Sequence, residues 1–377
     1  RAKSRKRRRR NSRNTIRTVF VFQQLSYNLD NVNYDDQEKE WKQVLLGNGN
    51  TQFYQAFAQW KYRVTDKLTI NTGLHGSYLT LNGKRSIEPR TGISYRYRGQ
   101  VFSLAAGLHT RPQQISTYLF ENVSAEDAHT HPNKNLDLTR AAHFVLGYEK
   151  FFSLISVRTK VEAYYQYLYK ITVEQKTPSG FSAINMADIY DLDNTAPLVS
   201  RGNGQNYGID LSVEKPFSNN YYFMSALSLF NSTYTNFAGK TFNSKYNRNY
   251  SFNIIGGKEW QAKRNSHRVY GASGKLLASG GVRNSVIDIP ASVAAGREEL
   301  VADQYYTKQG PVYFRFDFSA YIKTNRKRST HTLSLEIQNA TNHQNLYGYY
   351  FDSRTGEQKT AWQLGILPNI GYKKEFH

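Results

Sequence analysis

The sequence predicts an all-β protein, a transmembrane antiparallel β-barrel with about fourteen strands in this chain. The first observation behind this prediction is alternation, which is clearest in Val312–Lys323 (VYFRFDFSAYIK). Because side chains alternate faces along a strand, Phe314, Phe316, Phe318, Ala320 and Ile322 share one face, and Tyr313, Arg315, Asp317, Ser319, Tyr321 and Lys323 share the other. An oily face backed by a charged face is typical of a barrel strand whose apolar side contacts lipid.

The second observation is the aromatic content. Aromatic residues make up 14% of the chain, with 29 Tyr and 21 Phe against 2 Met. Tyrosine combines an apolar ring with a wet hydroxyl group, which suits the boundary between membrane and water. The aromatic content therefore agrees with strands that cross a bilayer.

The pattern recurs along the whole chain at turn-separated intervals. The predicted strands are Thr15–Leu29, Gln52–Val64, Leu68–Leu81, Ile87–Tyr97, Val101–Thr110, Ala142–Phe152, Ser156–Ile171, Gln205–Lys215, Tyr221–Phe237, Tyr250–Gln261, Arg268–Gly281, Val312–Lys323, Thr330–Asn339 and Leu364–Phe376. On the charged face they carry Lys61, Arg63, Arg158, Lys160, Glu162, Asp210, Glu214, Arg315, Asp317 and Glu336. Opposite charges on neighbouring strands predict cross-strand ion pairs.

The third observation is the lengths of the connections, which alternate between short and long. The long ones are Asp30–Thr51, Arg111–Ala141, Thr172–Gly204, Ala238–Asn249, Val282–Pro311 and Ala340–Gln363, and only Asn82–Ser86 is short in a long position. Outer-membrane barrels have tight turns on the periplasmic side and long loops outside. We therefore expect Arg111–Ala141, Thr172–Gly204 and Val282–Pro311 at the cell surface.

The composition excludes some alternatives. Mean hydropathy is -0.66, and no run approaches the roughly 18 apolar residues of a spanning helix. The net charge of +21 suggests nucleic-acid binding, but ten of the cations lie in residues 1–17. Without that segment, 40 basic residues stand against 29 acidic ones, so nucleic acid is not an expected partner. The chain has no cysteine, which agrees with many bacterial envelope proteins and decides little.

The basic segment divides the chain into two parts, a disordered tail at residues 1–14 and the barrel at 15–377. A Lys/Arg run can bind phosphate or act as a localisation signal, and it can equally be a periplasmic turn or an artefact of an incomplete gene. No apolar stretch follows it, so it is not a secretory signal. An exported protein without a signal is expected to lack its true N-terminus.

Several blocks resemble the barrel of TonB-dependent outer-membrane receptors, in particular the Bacteroidota-type group with a carboxypeptidase-regulatory-like N-terminal domain. The blocks are TDKLTINTGLH, IEPRTGISYR, KVEAYYQYLYKITVE, GNGQNYGIDLSVEKPF, YYFMSALSLFNSTY, EIQNATNHQN and LPNIGYKKEF. The resemblance implies the C-terminal part of a barrel of about 22 strands. It also implies transport of a large or scarce nutrient, energised by TonB through a plug domain that is not found in this sequence.

The C-terminal block has the pattern by which such barrels are recognised for insertion. Ile370, Tyr372 and Phe376 lie at alternate positions, as the resemblance implies. Lys374 replaces an apolar residue there, although its stem can snorkel to the interface, and His377 follows the aromatic residue. The implied partners are outer-membrane lipid, the outer-membrane insertion machinery, TonB and an extracellular ligand that the sequence does not identify.

Two outer loops contain candidate sites. Glu126, Asp127, His129 and His131 could hold a divalent metal, although their spacing matches no known ligand motif and chance clustering in a polar loop is the simpler interpretation. Asp188, Tyr190, Asp191 and Asp193 could bind a cation or a sugar, and an ordinary solvated loop is again the simpler interpretation. The sequence thus predicts no cofactor and no enzyme, because it contains no nucleophile motif. The alternatives to a transport receptor are an adhesin or surface-binding barrel without transport, and a barrel enzyme with its site in the outer loops.

Overall fold

The computed structural model describes residues 2–9, 13–35, 40–120, 122–123, 129–186 and 197–377. Within these ranges the strands are β1 Ala2–Arg9, β2 Asn14–Asp35, β3 Glu40–Arg63, β4 Leu68–Leu79, β5 Lys84–Tyr97, β6 Gln100–Arg111, β7 Asn122–Val123, β8 His129–Thr130, β9 Thr139–Phe152, β10 Val157–Glu174, β11 Leu198–Ser218, β12 Tyr221–Thr235, β13 Thr241–Asn243, β14 Tyr250–Gln261, β15 Arg268–Ser279, β16 Arg283–Asn284, β17 Lys308–Gln309, β18 Tyr313–Arg326, β19 Ser329–Gln338, β20 Leu346–Asp352, β21 Glu357–Trp362 and β22 Leu367–Phe376. The helices are α1 Ile115–Tyr118 and α2 Ile289–Ala295, with a 3-10 turn at Ala183–Asn185. None of these described helices is both long and apolar enough to cross a membrane.

One antiparallel sheet contains nearly all of the strand residues. Its order is β1-β2-β3-β4-β5-β6-β9-β10-β11-β12-β14-β15-β18-β19-β22, and β13 pairs with β12. Each long strand thus pairs with the next long strand along the chain, as in an up-and-down barrel wall. No ladder joins β1 to β22 within the described ranges, so these two strands are the edges of the sheet.

The ladders place the oily and the charged side chains on opposite faces across the whole sheet. Ala58 pairs with Leu74, Leu74 pairs with Pro89, and Ile93 pairs with Leu104. On the other face, Glu162 pairs with Asp210. We call these the apolar face and the polar face, and the predicted charged positions all fall on the polar face.

Large apolar side chains are exposed on the apolar face. Ile87 is 73% exposed, Ile370 75% and Leu146 61%. Contiguous apolar surface on this scale is not stable in water, and it marks a contact with lipid. The alternation in the sequence therefore predicted the two faces correctly.

The two ends of the sheet differ as the connection lengths predicted. At one end, which we call the turn end, the strands are joined by short turns such as Arg98–Gly99, Asn219–Asn220 and Lys327–Arg328. At the other, the loop end, long segments such as residues 112–138 and 280–312 join the strands. The hairpin at residues 80–83 is the one short connection that the sequence placed at the loop end.

Two segments differ from the prediction. The predicted long loop Asp30–Thr51 is largely a hairpin, because β2 continues to Asp35 and β3 begins at Glu40. Outside the bilayer water solvates both faces of a hairpin, so its sequence need not alternate. The second difference is the predicted disordered tail, in which Ala2–Arg9 forms β1 and pairs with Thr15–Phe22 of β2. β1 is thus a fifteenth wall strand beyond the fourteen predicted. It forms because it pairs with the backbone N–H and C=O groups along one edge of β2.

Two hydrophobic clusters hold the loops together over the loop end. The first contains Leu79, Tyr118, Phe120, Leu136, Leu138 and Leu198. The second contains Ile171, Val173, Tyr234 and Phe242, with Tyr305 packed against it. Burial raises the pKa of Tyr305 to about 12, so this phenol stays neutral and the second cluster stays uncharged at ordinary pH. The loops thus fold as a packed assembly on top of the sheet.

Candidate functional site

Most of the residues that the sequence proposed as sites lie outside the described part of the chain. This holds for Asp188, Tyr190, Asp191 and Asp193, and for Glu126 and Asp127. His129 lies in β8, and its side chain is not described. His131 is half-buried, and the described residues include no group of three or more potential metal ligands. The metal site and the loop ligand site therefore stay predictions.

The C-terminal positions lie on the apolar face of the edge strand β22. Ile370 pairs with Leu335 and Tyr372 with Leu333, while Phe376 is 76% exposed. Lys374 lies on the same face, and its Nζ is 4.6 Å from the centre of the Phe376 ring. This lysine thus lies beside an aromatic residue at the turn end.

The charged side chains of the polar face pair both across strands, as predicted, and along single strands. Arg158 on β10 forms the predicted kind of pair, because its Nε lies 3.6 Å from Glu149 Oε1 on β9. Lys160 Nζ lies 2.5 Å from Glu162 Oε2, and Arg315 donates to both carboxylate oxygens of Asp317 at 2.7 Å. These last two pairs run along one strand between residues i and i+2 rather than across strands. Side chains two residues apart share a face, and strand twist can bring them as close as cross-strand neighbours.

A buried carboxylate organises the polar face of β4, β5 and β6. Glu88 is 1% exposed and accepts hydrogen bonds from Ser86 at 2.8 Å, Thr110 at 2.5 Å and Arg90 at 2.5 Å. His75 Nδ1 lies 3.1 Å from Glu88 Oε2, the same oxygen that accepts from Arg90. A carboxylate with this many donors fixes the orientation of the groups around it.

Two histidines continue this cluster towards the loop end. The His109 and His143 rings lie 4.4 Å apart between β6 and β9. Together they line a cavity of about 320 Å³ whose wall also includes Arg111, Gln113, Arg140, Ile184 and Met186. Its charged and imidazole groups are mostly hydrogen-bond donors, and Arg140 Nε is buried with no hydrogen-bond partner in the described part of the chain. This cavity suits acceptor groups of a ligand.

A second cavity of about 490 Å³ lies on the polar face of β9 to β12. Its lining residues are Val145, Glu162, Tyr164, Gln166, Asn206, Asp210, Phe230, Ser232 and Tyr246. Glu162 and Asp210 are acceptors only, and Asn206 Oδ1 is buried with no partner among the described residues. This cavity suits donor groups of a ligand, and Tyr246 reaches it from the loop that follows β12.

Leu136 and Asp137, in the connection from β6 to β9, are attached to the wall next to these cavities. Asp137 receives Lys84 Nζ at 3.0 Å and Lys170 Nζ at 2.9 Å, and Asn82 Nδ2 donates to the Leu136 carbonyl at 3.0 Å. Although partial burial acts to raise it, the two lysines hold the pKa of Asp137 below its ordinary value. These contacts attach the described part of the loop near Asp137 to the wall beside the donor-rich cavity.

The sequence prediction placed the binding groups in the loops and missed both cavities. Most of the lining residues lie at alternate positions of strands. A polar side chain at such a position indicates which face of the strand is polar, but not that it lines a cavity. Register brings them together, since Glu162 faces Asp210 and Gly107 faces His143 across neighbouring strands. Predicting the strand pairing explicitly could have found Asp210 opposite Glu162, but not the loop residue Tyr246.

Solved structures of outer-membrane receptors have the same architecture. The ferric yersiniabactin uptake receptor FyuA from Yersinia pestis is 10% identical, with 100% of this chain and 53% of that chain covered and a TM-score of 0.65. The ferric enterobactin receptor PfeA from Pseudomonas aeruginosa is 10% identical, with 99% and 53% covered and a TM-score of 0.63. The siderophore receptor PiuA from Acinetobacter baumannii is 12% identical, with 96% and 53% covered and a TM-score of 0.59.

The fold is that of a TonB-dependent receptor barrel. In such a barrel the polar face lines the interior and the apolar face contacts lipid. In this fold the two cavities lie on the inner wall of the barrel, beneath the loop assembly. The chain spans about half the length of the structures that it matches. No family model and no curated protein matches the sequence.

Proposed function

We propose that this chain forms the C-terminal part of the barrel of an outer-membrane receptor, and that the receptor imports an extracellular ligand with energy from TonB. The observation that carries this proposal is the inner wall, where two cavities of opposite hydrogen-bonding character lie under a packed roof of loops. A barrel that only spans a membrane needs no packed loop assembly above its interior. An import receptor must hold its ligand at the mouth before transport.

The neighbours support a transport role over an enzymatic one, since their names are those of uptake receptors and siderophore receptors. The resemblance blocks support the finer part of the proposal. On that basis the receptor is of the Bacteroidota type, its N-terminal part includes a carboxypeptidase-regulatory-like domain, and it is inserted by the outer-membrane insertion machinery. The ligand presents acceptors to the His109–His143 cavity and donors to the Glu162–Asp210 cavity.

Solute depletion from a defined mixture tests the transport proposal. Cells with and without the complete gene are grown with a mixture of ferric siderophores, oligosaccharides and oligopeptides, and the remaining solutes are quantified by mass spectrometry. We expect at least one solute to disappear only when both the gene and TonB are present. Depletion that persists without TonB, or a converted product left in the medium, contradicts the proposal.

A matched pair of variants connects that activity to the inner wall. Asp210→Asn removes an acceptor-only group from the β9–β12 cavity, whereas Asp317→Asn changes a polar-face carboxylate that is already held by Arg315. We expect Asp210→Asn to slow uptake of the depleted solute by about tenfold, as for a lost charged hydrogen bond, and Asp317→Asn to change it less. An equal effect of the two variants contradicts a ligand site at this cavity.

A further inference from the structure

The turn end of the sheet carries a ring of cations that the transport proposal does not use. Five basic side chains lie over aromatic rings there, at 4.6 to 5.8 Å from nitrogen or guanidinium carbon to ring centre. The pairs are Lys67 and Arg98 with Tyr97, Lys150 with Phe152, Lys258 with Trp260, and Lys374 with Phe376. We call these side chains the turn-end girdle.

A short sequence pattern supplies three of the five cations of this girdle. Lysine two residues before an aromatic residue occurs at Lys150–Phe152, Lys258–Trp260 and Lys374–Phe376, in each case where a strand reaches the turn end. Residues two apart share a face, so lysine and ring both point outward on the apolar face. The rings are exposed, from 37% for Phe152 to 76% for Phe376. A lysine placed there has its stem along lipid and its ammonium group at the height of the headgroups.

The three lysines of this pattern are not neutralised by a carboxylate. Lys150, Lys258 and Lys374 have no carboxylate within ion-pair distance in the described ranges. The turns from the β3–β4 connection onward contain six basic residues against the single acid Asp66. Two of the six belong to the girdle, Lys67 and Arg98, and the others are Lys263, Arg264, Lys327 and Arg328. By contrast, the loop-end connections of the sequence contain fifteen acidic and eleven basic residues. The two ends of the wall therefore have opposite charge balance.

The same pattern occurs once at the loop end with a different outcome. Lys240 lies 5.5 Å from the ring centre of Phe242, but Phe242 is 5% exposed and Lys240 Nζ lies 2.9 Å from Asp303 Oδ1. At the loop end the lysine therefore forms an ion pair within the protein. At the turn end the corresponding lysines face outward with their charge available.

We propose that the turn-end girdle is a binding surface for the anionic headgroups of phospholipids. The phosphate of a lipid such as phosphatidylglycerol would sit against the ammonium groups, while the exposed rings hold the boundary between headgroup and acyl chain. Juxtamembrane cations attract anionic lipid in proportion to their number. Phospholipid, rather than the phosphates of lipid A, is the partner that the structure favours, because the loop end has an acidic excess and the cations gather at the turn end. This inference rests on the membrane-spanning fold and is independent of the transported ligand.

Tryptophan quenching by brominated lipid tests the proposal in a variant whose other three tryptophans are replaced by Phe, so that Trp260 of the girdle is the fluorophore. The protein purified from outer membranes is placed in nanodiscs of phosphatidylcholine that contain either brominated phosphatidylglycerol or brominated phosphatidylcholine. We expect the phosphatidylglycerol to quench at several-fold lower mole fraction, and 1 M salt to remove this preference because it screens the charges. Equal quenching by the two lipids overturns the proposal. A competition experiment separates the two sources of phosphate, because unlabelled phosphatidylglycerol or lipid A is added to displace the brominated phosphatidylglycerol. Displacement by lipid A at a lower mole fraction than by phosphatidylglycerol also overturns the proposal.

Three variants separate the charge of the girdle from its packing. Replacing Lys150, Lys258 and Lys374 together by Gln should lower the preference for phosphatidylglycerol by about tenfold or more, at roughly a few-fold for each charge. Replacing the same three by Arg should retain the preference, which shows that any loss in the first variant comes from charge. Lys240→Gln at the loop end should leave it unchanged. A preference that survives the triple Gln variant, or that falls equally with Lys240→Gln, contradicts the assignment.

Discussion

The strand wall and the loop assembly use the same apolar residue types in opposite ways. In the wall, Leu146 and Ile209 are more than half exposed, because lipid rather than protein covers them. In the loop assembly, Tyr118 and Tyr234 are completely buried, because water lies above them. The wall is therefore stabilised by backbone ladders and bilayer contact, whereas the loops are stabilised by packing as in a soluble protein. This difference predicts that equivalent substitutions act very differently in the two regions.

The largest expected effect is the loss of a buried ring in the loop assembly. Tyr234 packs against Phe242 at 5.7 Å between ring centres, and its hydroxyl donates to the Gly180 carbonyl. Tyr234→Ala should lower the free energy of unfolding of the loop end by about 3–5 kcal/mol. Limited proteolysis of the loops in folded protein would measure this. Tyr165→Ala is the matched control, because Tyr165 is 40% exposed on the wall and lipid can fill the space; equal effects of the two variants would remove the distinction between the regions.

A charge on the apolar face of the wall should have the next largest effect. Phe316 pairs with Leu276 on that face, whereas Ser319 pairs with Ser273 on the polar face. Phe316→Arg should reduce the free energy of folding into lipid vesicles by about 2–4 kcal/mol, because the charge lies in hydrocarbon. Ser319→Arg should cost clearly less, since it points to the interior. If a denaturant titration in vesicles gave the same loss for both, the assignment of the two faces would be wrong.

A smaller effect is expected where a loop is fastened to the wall. Asp137→Asn removes the shared partner of Lys84 and Lys170, which are 33% and 40% exposed, so solvent screening limits the loss to about 1 kcal/mol. Protease cleavage within residues 112–138 should rise, while cleavage within residues 280–312 should not. Unchanged cleavage in the first segment would show that the two ion pairs do not hold it.

The same contact predicts a pH dependence. Because the pKa of Asp137 is lowered in the folded protein, its contribution is present above the ordinary carboxyl pKa and is lost as pH falls through the lower, folded value. Cleavage within residues 112–138 should therefore rise on acidification below the ordinary range for aspartate. In Asp137→Asn this acid-dependent rise should be reduced, and a rise of the same size in the variant would assign it to other groups.

The contrast also explains which features the sequence could predict. All fourteen predicted strands are present, because a wall between lipid and a polar interior requires alternation at nearly every position. β1 escaped prediction because its arginines and lysines do not alternate, and its pairing depends on the neighbouring edge. The hairpin of β2 and β3 escaped prediction for a similar reason, since it continues where water lies on both sides.

The candidate site was less predictable than the wall. Glu162 was placed correctly on the charged face, but its partner is Lys160 on the same strand and its neighbour across the ladder is Asp210. These facts depend on register and twist, which a single strand pattern does not contain. The loop assembly depends on contacts between distant segments, such as Tyr234 with Tyr305, that no local pattern indicates.

Cysteine labelling in intact cells tests the central claim that the wall lies in the outer membrane with the loop assembly outside. The chain has no cysteine, so a single introduced thiol gives an unambiguous signal. Ser353, between β20 and β21 at the loop end, and Ser153, in the turn between β9 and β10, are both exposed, whereas Ser179 is buried and unsuitable. We expect Ser353→Cys to react with a membrane-impermeant maleimide in intact cells, and Ser153→Cys to react only after the outer membrane is permeabilised. Labelling of Ser153→Cys alone in intact cells, or of both variants equally, would contradict the account.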